Sequence, residues 1–230
     1  MLAFQSQNPL GIDIYKKYIH YTDRFLYHGK VDDTHLEYLK TPHIINNLHQ
    51  LNEQPINYYD CVINHLAIPP RESLKEYIQS LYKIVKPNGL IILSLPNKYP
   101  YLGALHWYTK LLPDATLEYA STIPSQDELY TWLGDNAFKV IDIIKPKDEL
   151  MLKGEVYYNP SGIYDPCWQQ SDRFWEYVSQ EEHERIERIV PTLFKHMKIY
   201  DYIKEVDEYR KKYGQIYFMV ARKTPYREFY

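Results

Sequence analysis

The clearest patterning of apolar and polar positions lies between Tyr59 and Asn97. Tyr59 to Leu66 holds Cys61, Val62, Ile63 and Leu66 in a nearly continuous apolar run that Pro69 and Pro70 stop, the pattern of a strand covered on both faces. Arg71 to Val85 sets Leu74, Tyr77, Ile78, Leu81, Ile84 and Val85 at helical spacing, with Glu72, Lys75, Glu76 and Lys83 on the other side. That spacing predicts an amphipathic helix. Lys86, Pro87, Asn88 and Gly89 end it, since proline cannot continue a helix and glycine is free to take positive φ. Leu90 to Leu95 follows as a second buried strand closed by Pro96. The unit is β-α-β, and such crossovers are right-handed.

Other segments carry shorter signals. Pro9 to Tyr15 reads as a short strand with Asp13 near its end. Tyr18 to Lys40 reads as two short helices separated by a turn at Gly29, with Asp32, Asp33 and Thr34 as N-caps and His20, His28 and His35 as surface histidines. His43 to Leu51 is strand-like and includes Asn47. Ser125 and Glu128 form a capping box for a helix through Leu133, and Phe138 to Ile144 alternates as a strand should. Lys98 to Thr122 is rich in aromatics and reads as a loop and helix packing on the sheet. Met151 to Phe174 is loop-like, Glu181 to Met197 is helical with Pro191 set to kink or divide it, Tyr200 to Tyr213 is amphipathic, and Gly214 to Ala221 is a strong strand.

The phrase from Tyr59-Asp60 through KPNGLIILSLPN, followed by Ser125 to Ile144 with Asn136, Ala137 and Phe138, resembles class I S-adenosylmethionine-dependent methyltransferases. The resemblance covers roughly half the chain and implies an α/β fold: a three-layer Rossmann-like methyltransferase sheet with the strand order 3-2-1-4-5-7-6. It implies Asp13 as the second-strand acid that holds the cofactor's ribose hydroxyls, because a carboxylate accepts both hydrogens at once. It places Asn47 where the adenine amino group is met, and Asn64 and His65 at the cofactor's edge. His65, at the carboxyl end of a strand, is the candidate catalytic base. The family's glycine-rich GxGxG loop is not found, and only twelve residues precede Asp13. The sheet is therefore expected to be N-terminally truncated or degenerate. Its central slot would be filled by Leu10 to Ile14, by a strand from a protein partner or a second copy, or by a part of a longer protein.

Composition narrows the picture. A chain of 230 residues with 45% hydrophobic content suits one domain over 1–230, with an aromatic-rich insertion at 151–213 before the last strand. The net charge of −3 and the lack of a long basic run argue against nucleic acid. No apolar run approaches the ~20 residues that cross a bilayer, and Met1 to Leu10 lacks a secretory signal's pattern, so an intracellular, cytoplasmic protein is expected. Cys61 and Cys167 read as free thiols, with no metal site. Two functions stand: a methyltransferase-like accessory or assembly subunit with impaired S-adenosylmethionine binding and partner contacts through an exposed aromatic insertion, or an active methyltransferase on a small-molecule acceptor.

Overall fold

The β-α-β unit forms where the apolar spacing predicts it. A computed structural model describes residues 9–19, 24–29, 43–98, 106–147, 157–170, 173–196 and 198–225. Its principal elements are α1 (Pro9–Tyr18), β1 (Phe25–Gly29), β2 (His43–Ile45), α2 (Leu48–Asn52), β3 (Tyr59–His65), α3 (Leu74–Ile84) and β4 (Val85–Pro96). They continue with α4 (Pro113–Thr122), α5 (Gln126–Asp135), β5 (Phe138–Ile144), α6 (Pro166–Gln170), α7 (Gln180–Lys195), α8 (Lys198–Tyr213) and β6 (Ile216–Lys223). The six strands make one sheet in the order β2-β1-β3-β4-β6-β5. β1 pairs in parallel with β2 and β3, β3 pairs in parallel with β4, and β6 runs antiparallel to β5. The chain thus has the expected mixed α/β sheet with helices.

The turn between α3 and β4 works differently from its sequence reading. Tyr59 pairs with Val85 and Cys61 with Leu90, so Lys86 to Gly89 bulge out of the ladder. Asn88, not Gly89, takes the left-handed backbone, with φ 66°. Gly89 is required for closeness: a Cβ there would lie 2.7 Å from Val85 Cγ1 and 2.9 Å from the Asp60 carbonyl oxygen.

The N-terminal third needs correction. Pro9 to Tyr15 is helix, not strand: Ile14, Tyr15 and Ile19 are buried while Asp13, Lys16 and Lys17 are exposed, a helical period that no alternating strand produces. The central slot is filled by β1, inside the stretch read as two helices, and neither Leu10 to Ile14 nor a second chain supplies it. His28 lies in that strand and is buried, not at the surface. His43 to Leu51 is only partly a strand: β2 stops at Ile45, α2 follows, and β2 sits directly beside β1. The caps expected at Asp32, Asp33 and Thr34, together with His20 and His35, lie outside the described residues.

The chain divides into two compact units. One comprises Pro9–Leu95, Pro124–Ile144 and Tyr217–Tyr230 and contains nearly the whole sheet. Strand alternation puts Leu26 and Val62 on the face covered by Leu74, Tyr77, Ile78 and Leu81 of α3 and by Leu129 and Leu133 of α5. Each such buried aliphatic contributes about 1.5–3 kcal/mol. The capping box at α5 is formed as expected, with Ser125 Oγ accepting from Glu128 N at 3.1 Å.

The other unit comprises Met1–Asn8, Pro96–Ile123 and Lys145–Ile216. Its core gathers Trp107, Tyr108, Trp168, Phe174 and Trp175, and the Tyr108 ring lies 5.2–5.6 Å from the other four. Trp168, Phe174 and Trp175 are therefore buried, which corrects the expectation of an exposed aromatic cluster. Pro191 does not divide α7. The buried Glu182 carboxylate accepts from Asp114 N and Ala115 N at the start of α4, meeting donors that a helix N-terminus leaves open.

Lys223, at the end of β6, is 5% exposed and has no carboxylate partner among the described residues. Its Nζ donates to Asn57 Oδ1 at 2.8 Å, the Tyr82 carbonyl at 2.5 Å and the Val85 carbonyl at 2.8 Å. Asn57 N and Tyr58 N donate to the carbonyls of Lys83 and Ile84, so the last carbonyls of α3 are satisfied. A cation there is also favoured by the helix dipole. Lys223→Met keeps the stem but leaves three oxygens without this donor. Unfolding in urea at pH 7 is expected to show a loss of about 3 kcal/mol.

Candidate functional site

In a parallel sheet the carboxyl ends of neighbouring strands share one edge, and ligands of open α/β sheets bind there. The register brings His28 opposite Asn64 and Gly29 opposite His65, with Leu93 and Ser94 next across β3. Because side chains alternate, His28 and Asn64 face α3, while His65 faces the side of α1. His28, next to last in β1, and His65, the last residue of β3, thus lie on opposite faces at the ends of neighbouring strands.

On the α3 side three polar side chains, from β1, β3 and α3, meet one another. Ala67 N can only donate, so the Asn64 atom that it meets at 3.0 Å is Oδ1. The other end of the amide is therefore the donor, and it reaches Tyr77 Oη and, at 3.2 Å, His28 Nδ1. Tyr77 Oη accepts from Asn64 and lies 3.1 Å from His28 Nδ1. Both contacts of the imidazole thus fall on His28 Nδ1. Burial pushes His28 down to about 4 and pushes the Tyr77 hydroxyl well above its ordinary value, so both are neutral at pH 7.

On the opposite face Tyr15 Oη lies 2.9 Å from His65 Nδ1, and the Tyr27 ring is 6.2 Å from the imidazole. Gly29 permits this packing: a Cβ there would sit 2.5 Å from the His65 carbonyl oxygen, and its φ of +139° favours glycine. Immediately after His65 the chain bends through Leu66 with φ 52°, a left-handed backbone that costs a residue with a Cβ about 1–2 kcal/mol. Ser94 Oγ holds the bend by accepting from Leu66 N at 2.9 Å while donating to the Asn64 carbonyl at 3.2 Å.

Of the four candidates drawn from the sequence, the structure brings Asn64 and His65 together. Asp13 does not join them: it is exposed on α1, 3.4 Å from Lys16 Nζ, and ends no strand. Asn47 follows the end of β2, where its Oδ1 caps α2 by accepting from Gln50 N at 2.9 Å. Tyr15, His28 and Tyr77 were missed as site residues. Only their positions on buried faces marked them, because their partners lie 13 to 50 residues away in sequence. Among the described residues no group of carboxylates, histidines and cysteines could hold a metal, and no helix is long and apolar enough to cross a membrane.

No model of a known protein family matches the sequence, and no curated protein matches it. Solved structures do. A protein assigned as a methyltransferase from an antibiotic biosynthesis pathway of Anabaena variabilis is similar with a TM-score of 0.65, covering 92% of this chain and 95% of that one at 13% identity. Phosphoethanolamine N-methyltransferase 2 of Haemonchus contortus, in complex with S-adenosyl-L-methionine, gives 0.51 over 97% of this chain and 54% of that one at 14% identity. The [4+2]-cyclase SpnF gives 0.50 over 96% and 82% at 14% identity. At such identities the likeness shows the fold, which is that of class I S-adenosylmethionine-dependent methyltransferases.

The state of His28 has a measurable consequence. In the fold it protonates only near pH 4, whereas in the unfolded chain it does so near 6.5. As pH falls from 6.5 towards 4 the unfolded state binds a proton that the folded state refuses, so this contribution is complete above 6.5 and is lost by about pH 4. The loss is about 3 kcal/mol. Urea unfolding across pH 4–7 is expected to show a flatter pH dependence in His28→Gln than in the wild type.

Proposed function

We propose that the chain is a methyltransferase-like accessory or assembly subunit in which S-adenosylmethionine binding is impaired. One observation carries this reading. The carboxyl ends of β1 and β2 offer no carboxylate for a ribose among the described residues: β1 closes with His28 and Gly29, and β2 runs into Asn46 and Asn47. Asn47 Oδ1 is already engaged as a cap, and Asp13 is on the exposed face of α1. An amide that already caps a helix and an exposed helical carboxylate do not supply the paired acceptor that ribose hydroxyls need. Partner contacts, with another protein or a second copy, fall to exposed side chains such as Leu117, Tyr164, Tyr200 and Tyr209 rather than to the buried tryptophans.

A second reading, an active methyltransferase on a small-molecule acceptor, is favoured by His65. It ends β3 at the ligand-binding edge with Nδ1 engaged by Tyr15, an arrangement that fixes an imidazole for proton transfer. Calorimetric titration of the full chain with S-adenosylmethionine and S-adenosylhomocysteine separates the two. The accessory reading expects no heat up to millimolar ligand. Micromolar binding of either overturns it in favour of the enzyme.

A further inference from the structure

The amino edge of the sheet holds a cation that neither functional reading uses. Lys223, at the end of β6, offers three N–H groups, and three oxygens receive them: Asn57 Oδ1, the Tyr82 carbonyl and the Val85 carbonyl. A further side is closed by the face of the Tyr82 ring, whose centre lies 4.1 Å from Nζ. A neutral amine has one hydrogen fewer and would turn its lone pair on one of these acceptors, so the arrangement suits an ammonium. Burial works against that charge and lowers the ammonium below its ordinary pKa, whereas the oxygens, the ring and the carbonyl end of α3 work for it. The walls of the site are held by contacts other than the lysine. Asn57 takes a left-handed backbone, φ 51°, fixed by Asn57 N donating to the Lys83 carbonyl and Tyr58 N to the Ile84 carbonyl, each at 2.8 Å. The Tyr82 ring stands edge-on to Phe138 at 6.0 Å, and Val85 is held in the ladder opposite Tyr59. Asn57 is exposed and Tyr82 only partly buried, so the site borders solvent.

We propose that Asn57, Tyr82 and Val85 form a binding site for a primary ammonium, whose resident ligand is the chain's own Lys223 and which takes a free alkylammonium ion when that side chain is shortened. The last strand is then held at this end as a ligand is held, by a cation in a site that α3 and the turns beside it build. No methyl donor enters this contact, and it lies away from the carboxyl edge. It therefore goes beyond both readings of the function and is tested apart from them.

Lys223→Ala in the full chain removes a propylammonium group, so n-propylammonium chloride is the matching probe. Urea unfolding of this variant at pH 7 and constant ionic strength is expected to show a midpoint that rises with the probe. Above saturation each further tenfold in probe lowers the unfolding equilibrium constant about tenfold, as one bound ligand requires. The wild type, already occupied, is expected to show no such rise, and the variant none with tetramethylammonium, which has no N–H to donate. Asn57→Gly keeps the left-handed backbone and removes one oxygen. Combined with Lys223→Ala, it is expected to weaken probe binding about tenfold. The absence of a rise in Lys223→Ala overturns the proposal, as does an equal rise in the wild type or with tetramethylammonium, or an unchanged affinity in the double variant. If Lys223→Ala is unfolded in buffer, circular dichroism after refolding in n-propylammonium decides: recovery bears the proposal out, and its absence overturns it.

Discussion

A strand in the middle of a parallel sheet has to be paired along both edges and covered on both faces, because an unpaired buried backbone group costs a few kcal/mol. β1 meets these demands with five residues. Leu26, Tyr27 and His28 pair with β2 on one side, and the whole strand pairs with β3 on the other. That pairing is what obliges a histidine to be buried, and a buried histidine must find donors or acceptors. Asn64 and Tyr77 follow from it, as does the absence of a side chain at Gly29, where β3 presses closest. The polar edge of the sheet is thus the consequence of closing its centre with this sequence.

Much of the fold was legible because its signals are local. The apolar spacing of α3, the capping box of α5 and the alternation of β5 each depend on neighbours within a few positions. β1 was not legible, since His28 and Gly29 make two of its five residues look like a turn. The burial that makes His28 apolar in effect comes from Tyr77, 49 residues on. α1 was misread because Leu10, Ile12 and Ile14 alternate over a stretch too short to separate a period of two from one of 3.6. At the site, Asn64 and His65 were found from their place at a strand's end, whereas Tyr15 looked like one tyrosine among 25.

Scaffold and chemistry separate cleanly in this protein. The mixed α/β sheet with helices is that of methyltransferase-like structures, yet a [4+2]-cyclase is similar in fold. What the chain can bind is set by the groups at the carboxyl edge and not by the sheet beneath them. Here those groups are mostly neutral: an imidazole pushed down by burial, a phenol pushed up by it, an amide and a serine.

Lys223 also fixes an order of events during synthesis. The carbonyls of Tyr82 and Val85 belong to the early β-α-β unit, yet their donor arrives 141 and 138 residues later. On the ribosome, the unit that most strongly encodes its own structure waits with this end of α3 open to water. Closure of the sheet is a late, long-range step, which slows folding relative to a chain of local contacts.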